Sequence, residues 1–134
     1  MKSVICKRNR RIQFVSDALV EQIIQGLKTA SVVDLEEVDL KEDDYNDALV
    51  VGALYDVYDS KKTPRTTIRI VAMELCTWSN IPDRLWMGEC NQSADEFRED
   101  HVDYFENPSD QFEFVAYYFR QAAPEEFNTG NSGT

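Results

Sequence analysis

Residues 16–31, SDALVEQIIQGLKTAS, join an amphipathic helix to a strand and carry a basic group and hydroxyls across the junction. Ser16 or Asp17 supplies a side-chain oxygen for the orphan N–H groups of a first helical turn. Leu19, Val20, Ile23, Ile24 and Leu27 recur at three- and four-residue steps, which places them on one apolar face. Gly26 stands where a left-handed residue ends a helix. Lys28-Thr29-Ala30-Ser31 then runs into Val32-Val33. The junction is either a device that delivers a lysine and hydroxyls to one site or an ordinary helix-to-strand connection. In the second case Lys28 is a surface cation favoured by the helix dipole; in the first, replacing Lys28 or Ser31 should leave the fold nearly intact, because neither belongs to the apolar face.

Working outward, Ile12-Gln13-Phe14-Val15 reads as a short strand feeding the helix. Leu49–Tyr58, LVVGALYDVY, reads as a strand interrupted by Gly52, a mark of a bulge or a close backbone approach. Asp59–Pro64 is a turn. Arg65–Trp78 alternates, with Ile68, Ile70, Ala72 and Glu74 opposite Arg69, Val71, Met73 and Leu75, and predicts a long hairpin partner. Ile81–Trp86 is a short helix behind Pro82. Ser93 and Glu96 form a capping box for a helix reaching Phe105. Gln111–Phe119 is a last strand, with Phe112, Phe114, Ala116 and Tyr118 against Glu113, Val115, Tyr117 and Phe119. Residues 1–122 make one domain, and residues 123–134 a flexible tail. Strands joined by turns outnumber helices, which predicts an α+β fold around a small antiparallel or barrel-like sheet.

The chain has 134 residues, 43% of them hydrophobic, enough for a real core and unlike a disordered composition. Its apolar runs fall short of a membrane span, and no secretory pattern opens it. Cys6, Cys76 and Cys90 lie far apart, are odd in number and show no metal spacing. They fit a reduced, cytoplasmic setting, with no metal and no cofactor expected. The net charge of −11 weighs against broad binding to nucleic acid, whose phosphates it repels. That charge is uneven. Lys2, Lys7, Arg8, Arg10 and Arg11 make the N-terminus basic, while residues 34–47 carry eight carboxylates: Asp34, Glu36, Glu37, Asp39, Glu42, Asp43, Asp44 and Asp47. Both stretches read as solvated segments or as contact surfaces.

Three blocks, in order, resemble the ASCH domain, a member of the PUA-like superfamily. The first is Asp17–Ser31, with Gly26-Leu27-Lys28-Thr29 similar to the family's Gly-x-Lys-Thr. The second is Val51-Gly52. The third runs from Met87-Gly88-Glu89-Cys90 through Ser93, Phe97-Arg98 and His101 to Phe105. The likeness spans roughly Phe14 to Phe119. Ala53, Met87, Cys90 and Phe97 depart from the family's usual Asp, Glu, Gly and Trp. The resemblance implies a small PUA-like β-barrel with flanking helices and a cleft beside the first helix. Some small ASCH proteins remove the acetyl group of N4-acetylcytidine, and others are described as ribonucleases on single-stranded RNA. Carried over, the catalytic positions are Lys28, Ser31 (where the family has Thr) and Glu89; Thr29, Arg98 and His101 are expected to bind substrate, with His101 also readable as a packing or hydrogen-bonding group near the cleft and Arg98 as a partner of Glu89 or Asp95.

The resemblance thus implies a cleft for a modified pyrimidine nucleoside or a single RNA base that hydrolyses an N4-acyl amide. In that chemistry Ser31 supplies the nucleophile, Lys28 the base and Glu89 the proton for the leaving amine. An RNA-binding module or single-strand ribonuclease using the basic N-terminus is the second reading. A protein-binding regulator using the acidic segment is the third. In a regular strand Lys28 and Ser31 point to opposite faces, so a shared site requires a bend after Gly26.

Overall fold

The computed structural model describes residues 9–14, 16–38 and 45–123. Lys2, Cys6, Lys7, Arg8, Val15, the carboxylates of 39–44 and the expected tail beyond Ala123 lie outside the described residues. The strands are β1 (Arg10–Gln13), β2 (Ala30–Asp34), β3 (Leu54–Tyr58), β4 (Pro64–Thr77) and β5 (Glu113–Gln121). The helices are α1 (Asp17–Ile24), α2 (Asp83–Gly88) and α3 (Ala94–His101), with a 3₁₀ turn at Leu35–Glu37. One sheet runs in the order β1-β3-β4-β5-β2, antiparallel except for β1 against β3. It curls into a half-barrel, the small α+β, PUA-like architecture expected from the sequence.

β5 is buried on both faces. Phe114, Ala116 and Tyr118 enter one core with Trp78, Ile81, Leu85, Phe97 and Phe105, under α2 and α3. Val115, Tyr117 and Phe119 enter the other with Ile12, Phe14, Tyr55, Val57, Ile68 and Ile70, under α1. A strand covered on both sides reads as a nearly continuous apolar run, which EFVAYYF is.

β4 serves both cores through a bulge. Ile70 pairs with Phe119 but Ala72 pairs with Tyr118, so Val71 is extra and stands 47% exposed. Ile68 and Ile70 face the α1 core before the bulge and Met73 after it, while Ala72 and Cys76 turn to the other core. The strict alternation expected through Leu75 therefore ends at Ile70, because two residues there oppose one.

Other boundaries also move. The strand expected from Leu49 begins at Leu54. Tyr55 Oη donates to Ala48 O at 2.6 Å and accepts from Val50 N at 2.8 Å, which folds 48–53 back on itself. Gly52 takes φ +92° in that turn and donates to Ile70 O at 2.7 Å. Ser16 makes no side-chain cap; Asp17 instead accepts from Ser60 N at 3.0 Å, tying α1 to the β3–β4 turn. Ser93 Oγ does cap α3 through Glu96 N at 3.1 Å, but Glu96 reaches back to Gln92 N at 2.8 Å, one residue before the expected position. α3 stops at His101 and the chain continues to Phe105 in turns.

Candidate functional site

α1 ends in a sharp turn. Leu27 N and Lys28 N both reach Gln22 O, at 2.9 and 3.1 Å, and Gly26 sits at φ +79°. Lys28 thus lies before β2 rather than in it, and its side chain enters the protein. It is 2% exposed. Of the two readings of Lys28, this sets the surface cation aside. Removing it leaves a buried carboxylate unpaired, so the fold cannot be indifferent to its loss.

Nζ of Lys28 donates to Ala30 O at 2.7 Å and to Glu89 Oε1. Glu89 is delivered by the end of α2, which docks on the start of β2. Thr29 N donates to Gly88 O at 2.8 Å, and a Cβ on Gly88 would stand 2.7 Å from Ala30 Cβ. That close approach is why residue 88 carries no side chain. Cys90, at φ +66°, then turns the chain away.

The other oxygen, Glu89 Oε2, faces His101 Nε2 at 3.3 Å. The His101 ring is held from behind: Nδ1 lies 2.8 Å from Phe97 O, and the ring stacks on Phe97 with centroids 4.1 Å apart. Burial alone would raise the Glu89 carboxyl. The His101 hydrogen bond and the Lys28 charge outweigh it and hold the group below its ordinary value of 4.5.

Lys28, Glu89 and His101 border a cavity of about 310 Å³, at the lower end of small-ligand pockets. Ser31 also lines it. It pairs across the sheet with Tyr117, whose phenol burial pushes strongly upward against a weaker opposing pull from the Ser31 side chain. Phe14, Tyr104 and Tyr117 give the cavity aromatic walls. Among the lining residues Lys28 and His101 stand against Asp47, Glu89 and Asp100, so the space does not present a cationic face to phosphate.

The six residues expected at a site divide in two. Lys28, Ser31, Glu89 and His101 line one cavity, with the bend after Gly26 bringing Lys28 and Ser31 to it. Thr29 and Arg98 do not line it. Thr29 is exposed and clasps Gly88 through its backbone. Arg98 donates to Trp78 O at 2.8 Å and to Asp95 at 3.0 Å, bracing α3 against the end of β4. Asn46 was not among the expected site residues. Tyr117 faces Ser31 only through the β2–β5 register, and Asn46 sits in an acidic stretch with no periodicity to place it.

Comparison with known proteins agrees with this architecture. An ASCH-domain family model matches residues 9–127. An ASCH domain from Lactobacillus crispatus superposes with a TM-score of 0.65 at 17% identity, covering 78% of this chain and 70% of that one. A protein from Enterococcus faecalis gives 0.61 at 16% identity, covering 87% and 82%. A mutant of the ASCH protein of Zymomonas mobilis gives 0.55 at 13% identity, covering 95% and 84%. At such identities these likenesses speak for the fold alone. No curated protein sequence matches the chain. Since the family model takes in all of the described residues, the chain belongs to the ASCH domain family.

Proposed function

We propose that the cavity binds an uncharged pyrimidine nucleoside and hydrolyses an N4-acyl amide on its base, as in N4-acetylcytidine. The observation that carries this reading is the buried contact of Lys28 with Glu89 at a cavity that Ser31 also lines. A proton moved along that hydrogen bond turns an ammonium–carboxylate pair into an amine and a carboxylic acid at no change in total charge. The amine is then a base for the Ser31 hydroxyl, and the acid a donor for the leaving nitrogen. Attack forms the bond from Ser31 Oγ to the acyl carbon and sends the Oγ proton to Lys28. Cleavage of the C–N bond sends the Glu89 proton to the amine. Water then attacks the acyl-serine, giving one proton to Glu89, while Ser31 leaves with the proton from Lys28. The acid is released, leaving an amine and a carboxylic acid, and return of the Glu89 proton to Lys28 restores the ion pair.

The balance of charges around the cavity favours a neutral nucleoside over an RNA strand, which would bring phosphates to Asp47, Glu89 and Asp100. The test is hydrolysis of N4-acetylcytidine by the purified protein, beside a labelled single-stranded RNA. Lys28→Ala and Ser31→Ala are each expected to lower turnover by at least ~10²-fold. Glu89→Gln should lower turnover while largely keeping nucleoside affinity. Binding that falls steeply with salt, with no hydrolysis, would replace this reading by an RNA-binding module. Full activity in Lys28→Ala or Ser31→Ala would place the chemistry elsewhere.

A further inference from the structure

β2 is an edge strand, and its pairing with β5 fixes where its main-chain groups point. Residues of an antiparallel ladder alternate between exchanging hydrogen bonds with the partner strand and turning those groups away from it. Phe119 N donates to Thr29 O at 2.9 Å, so the register that sets Ser31 opposite Tyr117 and Val33 opposite Val115 makes Ser31 and Val33 bonded positions. The other side of β5 gives the same phase. Trp78 N donates to Phe112 O at 2.8 Å, and two-residue steps along that register turn Phe114, Ala116 and Tyr118 toward β4. Ala116, which stands opposite Val32, thus has no group to give it. The N–H and the C=O of Val32 both point out of the sheet's edge. So does Ala30 O, which Lys28 Nζ takes at 2.7 Å.

That edge borders the cavity. Ser31, Val32 and Val33 all line it. Successive side chains of a strand point to opposite faces, so a space that touches all three residues lies beside the strand rather than above it. The Val32 side chain belongs to the core under α2 and α3, and the residue is only 7% exposed. β1 borders the same space with Ile12, Gln13 and Phe14. Its own outward N–H groups, on Arg11 and Gln13, are taken by Asp47 and Asn46. Among the described residues no group reaches Val32 N or Val32 O. Buried main-chain polar groups are nearly always paired, with protein, water or a ligand.

We infer that Val32 reads the base: its N–H and C=O pair with the edge of a flat ring that carries an acceptor beside a donor. A strand residue offers its own donor and acceptor side by side, as it would to a neighbouring strand. N4-acylated cytosine answers with N3, an acceptor, and with the N4–H next to it. This deepens the nucleoside reading and rests on it, and it sets the amide nitrogen against the residue next to Ser31. An extended peptide is the other occupant that an open edge takes. Here the bond from Lys28 to Ala30 O closes the edge two residues before Val32, and a cavity of about 310 Å³ suits a nucleobase better than a strand.

NMR of the intact protein with isotope-labelled valines reads the contact directly, the Val32 amide being assigned by its absence in Val32→Ile. N4-acetylcytidine should move that amide downfield and slow its exchange with solvent, and the product cytidine, which keeps N3 and an N4–H, should do the same. An amide that stays in place with both nucleosides, or that moves only with trialanine, overturns the inference. Two binding measurements sharpen it. N4-acetyl-3-deazacytidine, which carries C–H in place of the N3 acceptor, should bind at least ~10-fold more weakly. Replacing valine 32 by the corresponding hydroxy acid turns its amide into an ester, with the side chain kept and no sheet hydrogen bond lost. That protein should melt like wild type and bind N4-acetylcytidine at least ~10-fold more weakly. Wild-type affinity in either measurement overturns the role of Val32. Hydrolysis without a shift of the Val32 amide keeps the hydrolase reading and loses this inference, whereas the shift without hydrolysis does the reverse.

Discussion

On one face of β5, Phe114 and Tyr118 sink into closely set rings, with Phe105 5.0 Å from Phe112 and 5.1 Å from Phe114. On the other face, Val115 and Phe119 pack with the aliphatic side chains of the α1 core, and Tyr117 borders a cavity that holds an ion pair. The same strand thus has a filled side and an unfilled side. The filled side carries no proposed chemistry, yet it fixes α3 through Phe97 and hence fixes the ring of His101. The unfilled side can keep buried charges because the filled side supplies rigidity.

The sharpest way to break this division is to empty the filled side. Phe97 is fully buried and stacks on His101, so Phe97→Ala should cost about 3–5 kcal/mol in chemical denaturation and misalign His101 as well. A Phe97→Ala protein close to wild-type stability would mean that the rings merely fill space. On the cavity side, Lys28→Met should cost about 3–5 kcal/mol by stranding Glu89, whereas Lys28→Met with Glu89→Leu should recover much of that loss. A double variant as unstable as the single one would show that the pair itself, and not the orphaned charge, carries the stability.

Between the two faces stands Gly88. A methyl group there meets Ala30 Cβ at 2.7 Å and Thr29 Oγ1 at 2.9 Å, so Gly88→Ala should cost about 1–3 kcal/mol and push Glu89 off Lys28. Stability and turnover measured together check this, and loss of one without the other would separate the docking of α2 from the site. The smallest effect expected is with pH. Burial raises the Glu89 carboxyl, but the His101 bond and the Lys28 charge leave it net lowered from 4.5. A lowered carboxyl stabilises the fold fully above its unfolded value, and that contribution is lost as pH falls through the folded value. Melting curves of wild type and Glu89→Gln should differ by a constant amount above about pH 4.5 and converge below it. A gap that widened in acid would reverse the sign.

Much of the division was legible in sequence. The apolar face of α1 as far as Ile24, the capping serine of α3 and the two apolar sets of β5 follow from periodicity and local hydrogen bonding, whereas Leu27, expected on that face, lies beyond the helix and is exposed. Lys28 and Glu89 were found through resemblance, and the bend that joins Lys28 to Ser31 was readable from Gly26. The burial of Lys28 was not, because depth depends on α2 docking 60 residues away on the start of β2. The bulge at Val71 left no mark either, since an extra β-branched residue looks like one more strand position. Arg98 resembled a ligand-binding arginine but closes a contact with Trp78 O, a choice that local sequence does not fix.

The edge strands of the half-barrel carry a consequence for self-association. An open sheet edge invites a second strand. Here Arg11 N and Gln13 N on the free side of β1 donate to Asp47 at 2.7 Å and Asn46 at 3.1 Å, and Arg11 O accepts from Asp47 N at 2.9 Å. On β2, Ala30 O is taken by Lys28. Asn46, Asp47 and Lys28 all line the cavity. The groups that cover these edge positions are thus also groups that line the pocket, so the sheet edge and the pocket share part of their walls.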